Sequence, residues 1–208
     1  MAALQYSEDK RQGQAEMKAV WYVSIPTSLG SELQSLDTLI RRAEAQQGSV
    51  DYTNIQELKY LDMVVCEALR MYPPAFRYAR TIEHDCVVNG QSLPKGATLE
   101  IAAGFLHYDP EHWHEPEKFI PERFTPEAKA SRHPFVYMPF GAGPRSCVGM
   151  RMAQLEIRMA LANIFKSFNV VACQDTEVPL ILKSNTTLGP KNGVFVKITK
   201  RENFDDAF

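Results

Sequence analysis

No window of about 18 apolar residues occurs in this chain, so no membrane-crossing helix is expected within it, and its first residues lack the charged-then-apolar order of a leader peptide. Cysteine is scarce. Cys66, Cys86, Cys147 and Cys173 lie far apart with no Cys-x-x-Cys pair. Neither a zinc site nor a disulfide framework is therefore expected, and reduced thiols facing the cytosol are the simplest assumption. No basic run stands out and the net charge is −2, which gives no reason to expect a nucleic-acid partner. Internal repeats and low-complexity tracts are absent. His107, His112 and His114 follow a spacing unlike His-Glu-x-x-His and have no carboxylate helix to match, so no metal site is expected of them. What is present is ordinary for a soluble globular chain. The 208 residues are 45% hydrophobic and 23% charged, enough for one sizeable core or two small ones.

Periodicity organises the chain. Residues 1–30 are polar, helix-compatible over 4–20 with disorder as the alternative expectation, and punctuated by Ser, Pro and Gly over 24–30. Leu33, Leu36, Leu39 and Ile40 share one face of an amphipathic helix expected over 32–46, which Gly48 stops. Asp51 and Thr53 offer capping oxygens for a short turn. A second helix is expected over 58–71, ended by Pro73-Pro74. The middle is strand-rich. Asn89-Gly90 between short apolar runs predicts a type I′ hairpin over 86–93, and residues 98–103 read as a further strand. Six prolines over 109–139 predict a long irregular segment, which at that length is folded on itself or functional. Residues 150–168 predict a helix. Residues 180–182 and 194–199, flanking Leu188-Gly189-Pro190, predict a terminal hairpin.

The chemistry concentrates at residues 140–149, FGAGPRSCVG. Gly141, Gly143 and Gly149 allow tight turning and close approach of a ligand to the backbone. Cys147 sits just ahead of the 150–168 helix, where free N–H groups and the positive end of the helix dipole favour a thiolate. Arg145 adds a cation that can pair with a carboxylate on a bound cofactor. A thiolate with bare backbone around it and an Arg alongside suits axial ligation of haem iron. The alternative, that Cys147 is a small buried hydrophobe, explains the cysteine but not its neighbours.

Phe140, Gly143, Arg145, Cys147 and Gly149 match, without exception, the Phe-x-x-Gly-x-Arg-x-Cys-x-Gly signature of the cytochrome P-450 superfamily, which the chain therefore resembles. Two further motifs of that superfamily occur in its order. Glu67 and Arg70 stand at i and i+3 on the second helix, and Pro121-Glu122-Arg123-Phe124 follows in the irregular segment. The i, i+3 spacing alone is weak evidence, since Glu8 and Arg11 repeat it. The segment from His107 through Trp113 to Phe119 resembles the family's approach to its Pro-Glu-Arg-Phe motif.

The resemblance covers about residues 31–200. It implies a mainly α fold with small β-sheets, the C-terminal half of the cytochrome P-450 fold, with a haem-binding loop before a long helix. It divides the chain into an unmatched segment, 1–30, and a partial family domain, 31–208. It further implies haem b as cofactor, with Cys147 as the iron's axial ligand and Phe140, Gly141, Gly143, Arg145 and Gly149 in the cofactor-binding loop. Arg145 would bond one haem propionate and Arg80 the other, with an ordinary surface arginine as the alternative for Arg80. A structural triad of Glu67, Arg70 and Arg123 is implied. Ala75, Phe76 and Arg77, with the turn at Thr187-Leu188, match substrate-facing stretches. Residues 60–76, 107–113 and 172–194 resemble isomerases that rearrange a prostaglandin endoperoxide to thromboxane; the drug-oxidising monooxygenases are the next resemblance. The first reaction needs a small lipid substrate and no reductase. The second takes lipids or xenobiotics and needs cytochrome P-450 reductase. Family members wrap haem between two halves and sit on the cytosolic face of the endoplasmic reticulum membrane through an N-terminal helix that this chain does not show. A non-catalytic fragment that holds no haem is accordingly a third expectation.

Overall fold

A computed structural model describes residues 51–184 and 187–201, together with the backbone of two strands within 4–19. Those strands correct the sequence reading. Where the sequence is helix-compatible over 4–20, β1 (Leu4–Asp9) and β2 (Gln14–Ala19) instead pair antiparallel, with Tyr6 opposite Met17 and Glu8 opposite Ala15. The reason lies in the period. Leu4 and Tyr6, then Ala15, Met17 and Ala19, are apolar at every second position, as a strand with one covered face requires. The helix expected over 32–46 lies outside the described residues.

The centre of the molecule is α1 (Lys59–Met71), entered from a 3₁₀ turn at Ile55–Glu57. Asp51 organises that entry as expected, its carboxylate accepting the Thr53 N–H at 2.8 Å and the Thr53 hydroxyl at 2.6 Å. Leu61, Val64, Val65, Ala68 and Leu69 recur at helical spacing and are all buried. With Ile55, Leu58, Phe119, Ala162 and Phe165 they form the main core. Pro73-Pro74 stops the helix, which closes with the Tyr72 N–H on the Ala68 carbonyl at 2.8 Å.

After α1 the chain lays down β3 (Tyr78–Thr81), then the hairpin of β4 (Cys86–Val88) and β5 (Gln91–Leu93), then β6 (Thr98–Ile101), which returns to pair with β3. Asn89 and Gly90 have φ of 49° and 80°, the left-handed pair that a type I′ turn requires. β6 is shorter than predicted because the chain winds directly into α2 (Ala103–Leu106). The irregular segment is folded on itself. It carries a 3₁₀ turn at Pro121–Phe124 and α3 (Pro126–Ser131), whose Thr125 cap accepts the Ala128 N–H at 3.3 Å. It closes over a second cluster of Cys66, Trp113, Phe124 and Val136.

The helix predicted after Cys147 is α4 (Met150–Ser167), which buries Ala162 and Phe165 against α1. It runs straight into β7 (Phe168–Ala172). Then β8 (Leu182–Ser184) pairs with β9 (Leu188–Pro190), and β10 (Val196–Lys200) pairs with β7. The predicted terminal hairpin thus divides. Gly193, at φ 86°, turns the chain away, and the five-residue β7 with Val170-Val171 offers β10 a longer β-branched partner than residues 180–182. β2 meets the other edge of β10 at Lys197 and Glu16, giving a sheet of order β1-β2-β10-β7. Helices with small antiparallel sheets are the fold that the resemblance implied. No helix among the described residues is long and apolar enough to cross a membrane.

Candidate functional site

The loop before α4 is built by backbone bonds around glycines. The Cys147 N–H donates to the Phe140 carbonyl at 2.8 Å, which closes the loop, and within it Gly141 N–H reaches Met138 O at 3.2 Å and Ser146 N–H reaches Gly143 O at 3.0 Å. Gly141 and Gly143 have φ of 75° and 73°, where a side chain would be strained. Gly149 caps α4, and the Met150 N–H bonds back to the Cys147 carbonyl at 3.3 Å. Cys147 is exposed, and its Sγ lies 3.9 Å from where a Cβ on Gly149 would stand, an ordinary contact distance. Arg145 is exposed too, and Val148 beside the thiol is fully exposed at 104%.

Tyr78, which sequence reasoning did not single out, packs under this loop from β3. Its ring lies 3.7 Å from a Cβ position on Gly141, and its hydroxyl donates to the Met138 carbonyl at 2.8 Å. Burial pushes the Tyr78 hydroxyl above its usual range. Arg80 is two residues further along β3, on the same half-buried face, with Nη1 on the Ala79 carbonyl at 2.8 Å.

Behind the loop, the Glu67 and Arg70 side chains are both 0% exposed. Arg70 Nε donates to Glu67 Oε2 at 2.7 Å and Nη2 to Oε1 at 3.0 Å, a two-pronged pair. Nη1 donates to the His107 carbonyl at 2.7 Å, and Nη2 also reaches the carbonyls of Pro116 at 2.8 Å and Lys118 at 3.2 Å. Glu67 Oε1 also accepts the Ile120 N–H at 2.9 Å. Arg123 Nε stands 3.3 Å from that same oxygen without an aligned hydrogen bond, so it joins by charge, while its Nη2 donates to the Glu115 carbonyl at 2.8 Å. Burial lowers the Arg123 guanidinium from its usual range, and Glu67 opposes that shift. The three residues drawn together by motif order are therefore together in space, and they pin 107–123 to α1.

The histidines separate. His112 and His114 are exposed, whereas His107 is fully buried. Its Nε2 accepts the Met138 N–H at 2.9 Å, and Nδ1 faces the Arg70 carbonyl at 3.1 Å. Burial pushes this ring down to about 4 from the usual 6.5. Arg132 was also missed; its guanidinium stacks 3.9 Å from the centroid of the buried Trp113 ring and donates to the Arg123 carbonyl at 2.8 Å. Its signal was faint, an arginine in an irregular stretch with no period to place it.

Two candidate substrate-facing stretches adjoin, since the Leu188 N–H donates to the Pro74 carbonyl at 2.9 Å. Phe76 lies against Gly104, where a Cβ would come 2.1 Å from its ring, and meets Phe105 edge-on at 5.4 Å. Arg77 is exposed and pairs with Glu100 at 3.4 Å.

A lone exposed thiol on a bare-backbone loop gives a metal one soft ligand and leaves the others to a prosthetic group. Among the described residues no three His, Cys, Asp or Glu side chains cluster as a metal site. A single thiol donor is what an iron already held by a porphyrin asks of a protein. The family model described as Cytochrome P450 matches residues 34–198, and the chain belongs to that haem-thiolate family. Its relatives include Thromboxane-A synthase of Rattus norvegicus, 57% identical over 152 residues, and that of Macaca fascicularis, 55% identical over 152. Cytochrome P450 3A11 of Mus musculus is 44% identical over 151 residues. Each match covers 73% of this chain but only 28% of the two synthases and 30% of the third protein.

Proposed function

We propose that this chain supplies the thiolate side of a haem site, over a family domain running from 31 to 208 with residues 1–30 as an added segment. Cys147 Sγ would hold the haem iron. Phe140, Gly141, Gly143 and Gly149 would form the loop that receives the cofactor, and Arg145 and Arg80 would pair with its two propionates. Glu67, Arg70 and Arg123 brace the irregular segment behind the loop. When bound, thiolate-ligated haem supplies an electron-rich iron that favours O–O cleavage.

The reaction proposed is the rearrangement of a prostaglandin endoperoxide to thromboxane, which breaks an O–O bond already in the substrate without net redox change. The observation that carries it is identity, 53–57% to four thromboxane-A synthases against 40–44% to the cytochrome P450 3A relatives. Phe76, held on Gly104 beside the Thr187-Leu188 turn, offers apolar surface suited to a lipid. A reductase-dependent monooxygenase of lipids or xenobiotics is the second reading, favoured by the 44% identity to cytochrome P450 3A11. Association with the cytosolic face of the endoplasmic reticulum membrane is proposed on the family resemblance alone.

Exposure of Cys147 and Val148 bears on the 208 residues taken alone. They are expected to take up haem through the thiol but not to turn over substrate, for which a second wall must exclude water. Fusion to the N-terminal part of the rat synthase is the test. The fusion should convert the endoperoxide without reductase or added reductant. Product formed only with reductase and oxygen would replace the isomerase reading with the monooxygenase one.

A further inference from the structure

The roles assigned so far leave His107 unused, although it is completely buried and its ring spans the braced segment and the cysteine loop. The two residues 70 and 107 bond reciprocally. The His107 carbonyl accepts from Arg70 Nη1 at 2.7 Å, and the imidazole Nδ1 lies 3.1 Å from the Arg70 carbonyl. On the other side, Nε2 is 2.9 Å from the Met138 backbone N–H. A backbone N–H can only donate and a carbonyl can only accept, so the bonding leaves one arrangement: proton on Nδ1, lone pair on Nε2. Met138 is the residue from which the loop turns. Its carbonyl accepts the Tyr78 hydroxyl at 2.8 Å and the Gly141 N–H at 3.2 Å. The Gly141 turn in turn follows Phe140, whose carbonyl holds the Cys147 N–H at 2.8 Å.

We propose that His107 is a positioning residue for Cys147, a two-sided neutral imidazole that ties the Met138 turn to the C-terminal end of α1. This deepens the proposed thiolate reading, because the loop it fixes is the one that presents the sulfur. The adjacent Tyr137 hydroxyl also reaches α1, donating to the Cys66 carbonyl at 2.9 Å, four residues ahead of Arg70. Only through His107, among the described residues, does one side chain hydrogen-bond to the backbone at both position 70 and position 138.

The two ring nitrogens can be tested apart. In His107→Gln the side-chain oxygen falls near the Nε2 position and can still accept the Met138 N–H. In His107→Asn the amide N–H falls near Nδ1 and can still donate to the Arg70 carbonyl. Hydrogen exchange of the 208-residue chain, followed by peptide mass spectrometry, reads the loop and α1 separately. His107→Asn should lose protection over 138–147 by about tenfold or more while α1 keeps its own, and His107→Gln should keep loop protection near the original. Equal loop exchange in both variants, or loss in α1 and loop together, would overturn the proposal. Should either variant fail to fold, ¹⁵N spectra of the unsubstituted protein decide: a neutral ring protonated on Nδ1 supports it, and one protonated on Nε2 refutes it. Neither readout involves haem. Failure here therefore leaves the haem reading standing, and a chain that takes up no haem leaves these bonds to be judged by themselves.

Discussion

Glu67 is without solvent exposure and faces two arginines, so its removal strands two buried cations. In Glu67→Ala, Arg70 and Arg123 remain buried and uncompensated, and a broken buried pair costs about 3–5 kcal/mol. Urea melts should show a loss of that size, and the variant should take up no haem; a normal haem spectrum would contradict the bracing role. Cys147→Ser should behave in the opposite way. The thiol is exposed and its backbone does the bonding, so stability should stay within about 0.5 kcal/mol while thiolate ligation disappears. His107 adds a pH dependence. Burial lowers the folded ring to about 4 from 6.5. Between those values the unfolded chain holds the proton and the folded chain does not. Stability present above pH 6.5 is therefore lost as the pH falls, by about 3 kcal/mol on reaching pH 4. Urea midpoints across that window should fall more steeply for the unsubstituted chain than for His107→Gln.

At the scale of elements, the loop at 140–149 stands on two left-handed glycines. Gly141→Ala has room for its methyl, 3.7 Å from the Tyr78 ring, so its cost is backbone strain of about 1–2 kcal/mol. A thermal melt measures it, and an unchanged midpoint would show that the turn relaxes. Elements with strong periodicity were legible in the sequence. The stripe from Leu61 to Leu69 announces α1, and Asn89-Gly90 announces the hairpin, because each encodes its geometry in adjacent residues. β1 and β2 were misread because the alternation of Leu4 with Tyr6, and of Ala15 with Met17, is carried by few apolar residues among helix-compatible polar ones. β3 went unseen since its partner β6 lies beyond an intervening hairpin.

For the whole molecule, the candidate site was legible where a motif is local and hidden where it is tertiary. Residues 140–149 declare a ligand loop by themselves, and Glu67 with Arg70 occupies one helix turn. That His107, Tyr78 and Met138 converge behind the loop depends on segments 29 or more residues apart, roughly, in chain order, and no spacing rule reaches that far. Family membership implies haem-thiolate chemistry, and the matched 28% of the synthases sets how much of that machinery the comparison covers. The claim on which the rest depends is that Cys147 ligates haem iron as a thiolate. Adding haemin to the 208-residue chain, reducing it and exposing it to carbon monoxide tests this directly. The account predicts a strongly red-shifted Soret band that is lost in Cys147→Ser. A band at the ordinary position, no band at all, or a red-shifted band that survives the substitution would contradict it.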